Sequence, residues 1–407
     1  MKIAVVHPYP VYSGAVGGVT RVNSLVRFLS PRHDVTVFAH SSGSRDTDAE
    51  AVRDLESIGV EQRLFNPGRP GIRRRLSWVL SKEPYFVGFN RNPGLETALI
   101  ELDRREGLDV VHVELAYLAP LLGGLGDGPV RFLAEQETMS MVVERLRRIP
   151  VWRRTPYETF LTTQGTKVRR FEADALSSFN RVYAITPEEA GAMADLSRRE
   201  VDLLPHVVNA RTFTMGGERN RQPTVLFVGN YQHRPNLHAL LWFAQEVWPK
   251  VATSHPDAVF EVVGPSLEEG PRRQLQAAGI RVLGRVEDLV VRYQSAWVFV
   301  NPILSGGGMR GKVLEAFACG LPVVSTRMGM EGIAAESEVQ FLEAEVSHSF
   351  ALQIGRYLQD SEMRAAHGTA ARRLVESTYD ARGVFARLEE DFNTCVRQRE
   401  PSSRGRI

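Results

Sequence analysis

The residues best placed to do chemistry lie between Asn301 and Thr326. They read Asn301-Pro-Ile-Leu-Ser-Gly306-Gly307-Gly308-Met309-Arg310-Gly-Lys312-Val-Leu-Glu315, then Ala-Phe-Ala-Cys-Gly320-Leu-Pro322-Val-Val-Ser325-Thr326. Three consecutive glycines let a backbone approach a ligand closely. Arg310 and Lys312 set two cations at the start of a helix expected around Lys312–Cys319, where the helix dipole disfavours them. A bound diphosphate would supply the reason. Glu315, a turn further in, is spaced to accept hydrogen bonds from two ribose hydroxyls. A flexible turn before a solvated basic helix start explains the glycines and the cations separately, but not together. A weaker signal comes earlier, where Gly17 and Gly18 precede the helical pattern Val22, Leu25, Val26, Leu29. A glycine pair between strand and helix can aim N–H groups at a phosphate. It can equally be an ordinary turn. It does not match G-x-G-x-x-G, so the dinucleotide fingerprint is absent.

These loops need a scaffold, and the apolar pattern supplies one. Met1–Val6, Val35–Ala39, Val110–Val113, Val130–Leu133 and Val182–Ile185 read as short buried strands separated by helical stretches. The series restarts with Thr224–Val228, Val259–Val263, Val282–Leu283, Val298–Val300 and Val323–Ser325. Two such series predict an α/β protein of two Rossmann-like, doubly wound parallel-sheet domains with a cleft between them. A single barrel stays open to the pattern alone. The expected boundaries are 1–208 for the first domain, a polar linker over 209–223, and 224–380 for the second. A helix over 381–396 is expected to cross back to the first domain, and 397–407, rich in Arg, Ser and Pro, is expected to be disordered.

Composition narrows the function. The chain has 407 residues, 43% of them hydrophobic, enough for two cores. Its 50 basic residues against 48 acidic ones give a net charge of +2, which argues against a nucleic-acid partner. Two cysteines, Cys319 and Cys395, suit a reducing cytoplasm. The first apolar run is too short for a signal peptide, and no stretch is long enough to span a membrane, so a cytoplasmic protein is expected. Two basic, apolar-mixed stretches, Gly71–Leu80 and Leu146–Arg154, leave peripheral membrane contact open. The blander reading, a solvated helix face, is preferred here. No metal signature stands out, and neither metal nor cofactor is expected.

The 301–326 segment resembles the donor-site signature of glycosyltransferase family 4, retaining enzymes of GT-B fold, in a Gly-rich, Arg-x-Lys variant. The resemblance runs along nearly the whole chain. Phe227-Val-Gly229-Asn230 with Pro235-Asn236 looks like the start of the family's C-terminal domain. Val262-Val-Gly264-Pro265, Leu283-Gly284-Arg285 and Ser325-Thr-Arg-Met-Gly329 are similar to later strand ends. The resemblance implies a nucleotide diphospho-sugar donor bound by the second domain. Gly17, Gly18, Gly229, Asn230, Gly306, Gly307, Gly308, Met309, Arg310, Lys312 and Glu315 would bind it, with Arg310 and Lys312 neutralising the leaving diphosphate. Many members carry a first glutamate where this chain has Gly307, and the basic pair usual after the first strand of that domain is reduced to Arg234.

The acceptor side falls to the first domain. Strand alternation puts His112 and Glu114 on one face. In related enzymes a residue at about this strand end lies near the reacting bond, and Glu114 fits it best; a buried hydrogen-bonded pair is the equal alternative. At the next strand end, Glu135 or Glu137 would position or deprotonate an acceptor hydroxyl, or cap the following helix. His7 faces the same region or is an ordinary loop histidine. The acceptor is a carbohydrate, a lipid-linked glycan or a small natural product. A sugar-nucleotide epimerase and a non-catalytic nucleotide-sugar-binding protein are the rival readings, since a fold does not fix a function.

Overall fold

The computed structural model describes residues 1–13, 18–66 and 81–399. Gly17, the basic stretch from Gly71 to Leu80 and residues 400–407 lie outside the described residues.

The chain divides into two compact units. The first comprises Met1–Pro205 together with the chain from Phe385 on, and the second His206–Val384. The first holds β1 (Lys2–His7), β2 (Asp34–His40), β3 (Glu61–Phe65), β4 (Val110–Glu114), β5 (Val130–Ala134), β6 (Arg181–Ala184) and β7 (Asp202–Leu203). All pair in parallel, in the order β3-β2-β1-β4-β5-β6-β7. The second holds β8 (Thr224–Val228), β9 (Val259–Val263), β10 (Arg281–Gly284), β11 (Val298–Asn301), β12 (Val323–Ser325) and β13 (Phe341–Glu343). Its parallel order is β10-β9-β8-β11-β12-β13.

The central strands are mostly apolar because helices cover both faces of each sheet, with His112 and Glu114 of β4 and Glu261 of β9 among the polar exceptions. Val6, Phe38, Val111 and Leu133 lie in the first core, and Phe243, Phe260, Phe350 and Tyr357 in the second. In both sheets the chain order reverses between the unit's first and fourth strands, β1 and β4 or β8 and β11. Such a switch point opens a crevice at the carboxyl ends of the strands.

Two expectations about the connections need correcting. The polar stretch 209–223 does not run free as a linker. Arg372 donates to the carbonyls of Ala210 (2.8 Å) and Phe213 (2.6 Å), and Arg219 to that of Gly320 (3.3 Å), so guanidinium groups tie it into the second unit. The last helix, Ala381–Arg399, extends through the first three residues of the expected disordered tail. Its basic last turn, with Arg397 and Arg399, complements the helix dipole. From Phe385 it packs in the first unit: Phe392 lies edge-on to Phe132 at 4.5 Å, and Asp391 accepts from the Tyr183 hydroxyl at 2.7 Å.

Candidate active site

In the second unit, the loops after β8 and β11 meet at the switch point. Backbone contact sets the first loop. A Cβ on Gly264, at the end of β9, would lie 1.8 Å from the Gly229 carbonyl oxygen, and its φ of 137° also requires glycine. The Gly229 N–H donates to Val263 O at 3.0 Å, so the ends of β8 and β9 are sewn together. Asn230 folds its Oδ1 back to accept from Gln232 N (3.0 Å), while its carbonyl accepts from the Asn236 Nδ2 (3.0 Å). Asn236 lies in the first turn of the helix Arg234–Trp242.

The second loop carries the glycine run. Gly306 (φ 102°) and Gly308 (φ 77°) are left-handed, whereas Gly307 between them is not. The side chain of Arg310 turns back into this loop and donates to the carbonyls of Gly307 and Gly308. The helix then runs Gly311–Ala318, and Gly320 (φ 63°) closes it, its N–H donating to Phe317 O at 3.0 Å. Below the loop, Asn301 donates to Ser325 Oγ (3.1 Å) and Gly329 O (2.9 Å), which locks β11 to the turn after β12.

Lys312 joins the two loops. Its Nζ donates to Asn236 Oδ1 at 2.9 Å and stands 4.5 Å from the centre of the Phe227 ring. Burial first, and then the charge of Arg310, lower its pKa to about 7, against the pull of Glu315. Glu315 accepts from the Tyr293 hydroxyl at 2.8 Å. Burial raises its pKa, with Tyr293 and Lys312 working in the opposite direction. The structure thus gathers Gly229, Asn230, the Gly306–Gly308 run, Arg310, Lys312 and Glu315 around one helix start. Met309 is buried beneath them. Arg234 begins its own helix and is exposed.

Two residues of this site had no assigned role in the sequence. Asn236 bridges Asn230 to Lys312, and Tyr293 holds Glu315 across 22 positions of sequence. A buried tyrosine needs a partner for its hydroxyl, but nothing local names that partner.

The first unit's switch point is built differently. Arg21, in the first helix (Gly18–Leu29), is 1% exposed and forms an ion pair with Glu114, itself 0% exposed. Arg21 also donates to Leu204 O (2.8 Å). Glu114 is further bonded to His112 Nε2 (3.1 Å) and Gln136 Nε2 (2.8 Å). Burial would raise the Glu114 carboxyl, but Arg21, His112 and Gln136 outweigh it and hold it well below the usual carboxylate range. Gly18 admits the Gln136 side chain: a Cβ there would lie 1.6 Å from its Oε1.

Glu135 is also buried. It accepts from Ala116 N at 2.8 Å and so holds the turn in which Leu115 adopts φ 83°. Burial chiefly pushes its pKa to about 8. It does not cap the following helix, Met139–Arg148; Glu172 does, accepting from Ser140 N at 3.2 Å. Glu137 alone of the strand-end acids is exposed. His7 keeps its Nδ1 on Tyr9 O at 2.8 Å. As it stands, Glu114 is paired on all sides within the fold, and burial favours the protonated form of Glu135.

Two doubly wound units of this order, with a glycine-lined switch point in the second, define the GT-B fold. A sucrose-phosphate synthase from Thermosynechococcus elongatus superposes with a TM-score of 0.73 at 17% identity, over 98% of this chain and 99% of that one. Anabaena Alr3699/HepE, solved with UDP and glucose, gives 0.68 at 14% identity over 97% and 100%. A mutant of S. aureus TarM, solved with UDP among its ligands, gives 0.66 at 9% identity over 96% and 99%. Within this fold, residues 222–360 match the family described as Glycosyl transferases group 1, a stretch of the second unit that contains all the donor-loop residues. An uncharacterised 44.6 kDa protein of the cps region of Klebsiella pneumoniae is 27% identical over 224 residues, 53% of this chain. The match spans about half of that relative's length (56%).

Proposed function

We propose that this chain transfers a sugar, of hexose type, from a nucleotide diphospho-sugar to an acceptor hydroxyl, with retention at the anomeric carbon as in glycosyltransferase family 4. The observation that carries this reading is the convergence of the Gly306–Gly308 backbone, Lys312 and Glu315 at one helix N-terminus on the second unit's switch point. Glu315 would hold the ribose. Arg310 would leave the carbonyls of its own loop, or reach past them, to join Lys312 against the diphosphate.

In the transfer, the bond between the sugar's C1 and the diphosphate oxygen breaks. The acceptor oxygen bonds C1 from the same face, and the acceptor's proton passes to the leaving phosphate. Cations and helix-start N–H groups stabilise the charge that develops there. The scheme requires no metal or other cofactor. The group 1 match over the donor loop supports it. UDP in the HepE and TarM structures makes uridine the first base to try. The two cysteines are free thiols, in keeping with a cytoplasmic setting. Among the described residues no helix is long and apolar enough to cross a membrane. Acceptors of carbohydrate, lipid-linked glycan or natural-product type all fit the reading. A non-catalytic nucleotide-sugar-binding protein is the second reading, favoured by Gly307, which stands where many members of the family carry a glutamate.

The test is thermal shift with UDP, GDP, TDP and ADP on wild type, Glu315→Ala and Lys312→Ala. A ligand at 100 times its Kd adds about 2.7 kcal/mol of stability. One nucleotide should shift wild type, and both variants should lose most of that shift. No shift with any nucleotide would overturn the donor site. A shift without release of nucleoside diphosphate from the matching sugar nucleotides, whatever acceptor is offered, would favour the binding protein. Turnover to an isomer without any acceptor would make the chain an epimerase.

A further inference from the structure

The basic stretch Leu146–Arg154, read from sequence as a solvated face, is not built like one. The helix Met139–Arg148 ends at Ile149, and Pro150 turns the chain into a single 3-10 turn, Val151–Arg153. Trp152 at this corner is 82% exposed and Val151 is 61% exposed. Tyr157, near the start of the next helix, is 54% exposed. A solvated corner would carry polar residues, and a large exposed aromatic is the informative exception.

The corner is also stiff. Arg154 donates through Nε to Ile149 O (2.8 Å), through Nη2 to Arg147 O (2.8 Å) and through Nη1 to Thr162 Oγ1 (3.5 Å). The following helix opens on a complete capping box between Thr155 and Glu158. One guanidinium thus spans the corner and fixes its carbonyls, so Val151 and Trp152 are held outward.

Charge identifies what the corner meets. Between Met139 and Thr163 the sequence has five arginines and two glutamates, in a chain that is otherwise nearly balanced. Arg147 and Arg148 are exposed at the helix end beside the apolar tip, Arg147 in a surface pair with Glu144 at 3.0 Å. We propose that the Ile149–Trp152 corner is a docking prong that seats the first unit on an anionic lipid bilayer, its Val151 and Trp152 in the interface and the neighbouring Arg147 and Arg148 on lipid phosphates. Tryptophan and tyrosine favour that depth because they are apolar bodies with a polar tip, and each surface arginine adds attraction to anionic headgroups. Such a prong belongs to the first unit alone and does not depend on sugar transfer by the second.

Flotation of the full chain with phosphatidylcholine vesicles, alone or mixed with phosphatidylglycerol, tests it. Wild type should float only with the anionic vesicles. Arg148→Gln should weaken that binding about fivefold, the equivalent of about 1 kcal/mol per surface cation. Trp152→Ala should weaken it by about tenfold or more, through lost apolar contact. Both variants should melt with wild type, since neither side chain is buried. Tryptophan emission should shift to the blue on anionic vesicles in wild type and not in Trp152→Phe. Wild type remaining in solution, or Trp152→Ala floating as well as wild type, would overturn the proposal. A dimer in the absence of lipid that Trp152→Ala dissolves would overturn it too, and would assign the corner to self-association.

Discussion

The two sheets reverse their chain order at the same place, yet the two switch points are filled in opposite ways. In the first unit, buried Arg21 and Glu114 face each other and His112 and Gln136 complete the network. In the second, glycines line the site, Arg310 leans on loop carbonyls and Lys312 on an amide oxygen. The first arrangement answers its own charges inside the fold. The second holds its cations with neutral oxygens, which on the proposed function a diphosphate would replace. Similar topology therefore carries an internally paired charge network in one unit and cations held only by neutral groups in the other, which is where the proposed donor site lies, and the difference lies in whether the cation's partner is a carboxylate or an uncharged oxygen.

The sharpest way to break this contrast is Arg21→Ala, which leaves Glu114 buried without its cation. Removing one partner of a buried pair costs about 3–5 kcal/mol. Urea unfolding should show a loss of that size with little change in nucleotide affinity. A loss under about 1 kcal/mol would mean that the network is not internally paired.

Next comes the pH dependence of the second site. Lys312 has a folded pKa of about 7, below the roughly 10.4 of an unfolded lysine. The unfolded chain therefore binds more protons between those values, and this residue's contribution to stability rises with pH across that window. A diphosphate reverses the shift by favouring the charged amine. Nucleotide affinity should then fall above pH 7, by at most about tenfold per pH unit, with proton uptake on binding. Calorimetry in buffers of different ionisation enthalpy measures this, and a flat profile in Lys312→Arg would confirm the source. The same flat profile in wild type would count against it.

The smallest effect separates two neighbouring glycines. Gly308 needs its left-handed φ, so Gly308→Ala should cost about 1–2 kcal/mol. Gly307 does not share that backbone, and Gly307→Ala should melt close to wild type. Equal losses at the two positions would mean that the loop conformation is not what selects glycine.

How far the sequence carried depended on whether a signal was local. The central strands were legible, β8, β9 and β12 to the residue, because strands covered on both faces are predominantly apolar and β-branched. β3, β7 and β13 were not expected, and all three are sheet edges. Glu61–Phe65 has only Gln62 buried, and Asp202–Leu203 is two residues long, so neither shows an apolar run. At the site, the glycine run and its cations were legible together as one segment. Asn236 was not, because its meaning comes from Lys312, 76 residues away, across the β8–β11 pairing. Nor is Arg21 legible in the sequence, because an arginine on a first helical turn is ordinarily solvated.

The last helix adds a consequence in the order of synthesis. Its residues from Phe385 on complete the first unit, where Phe392 lies against both Phe132 and His112 and Glu389 takes up Arg32 and His33. A ribosome making this chain finishes the second unit's sheet before it releases the residues that close the first. The earliest sheet to emerge therefore waits longest with apolar surface uncovered, and a chain stopped short of Phe385 would have made every strand yet never seal the unit it began with.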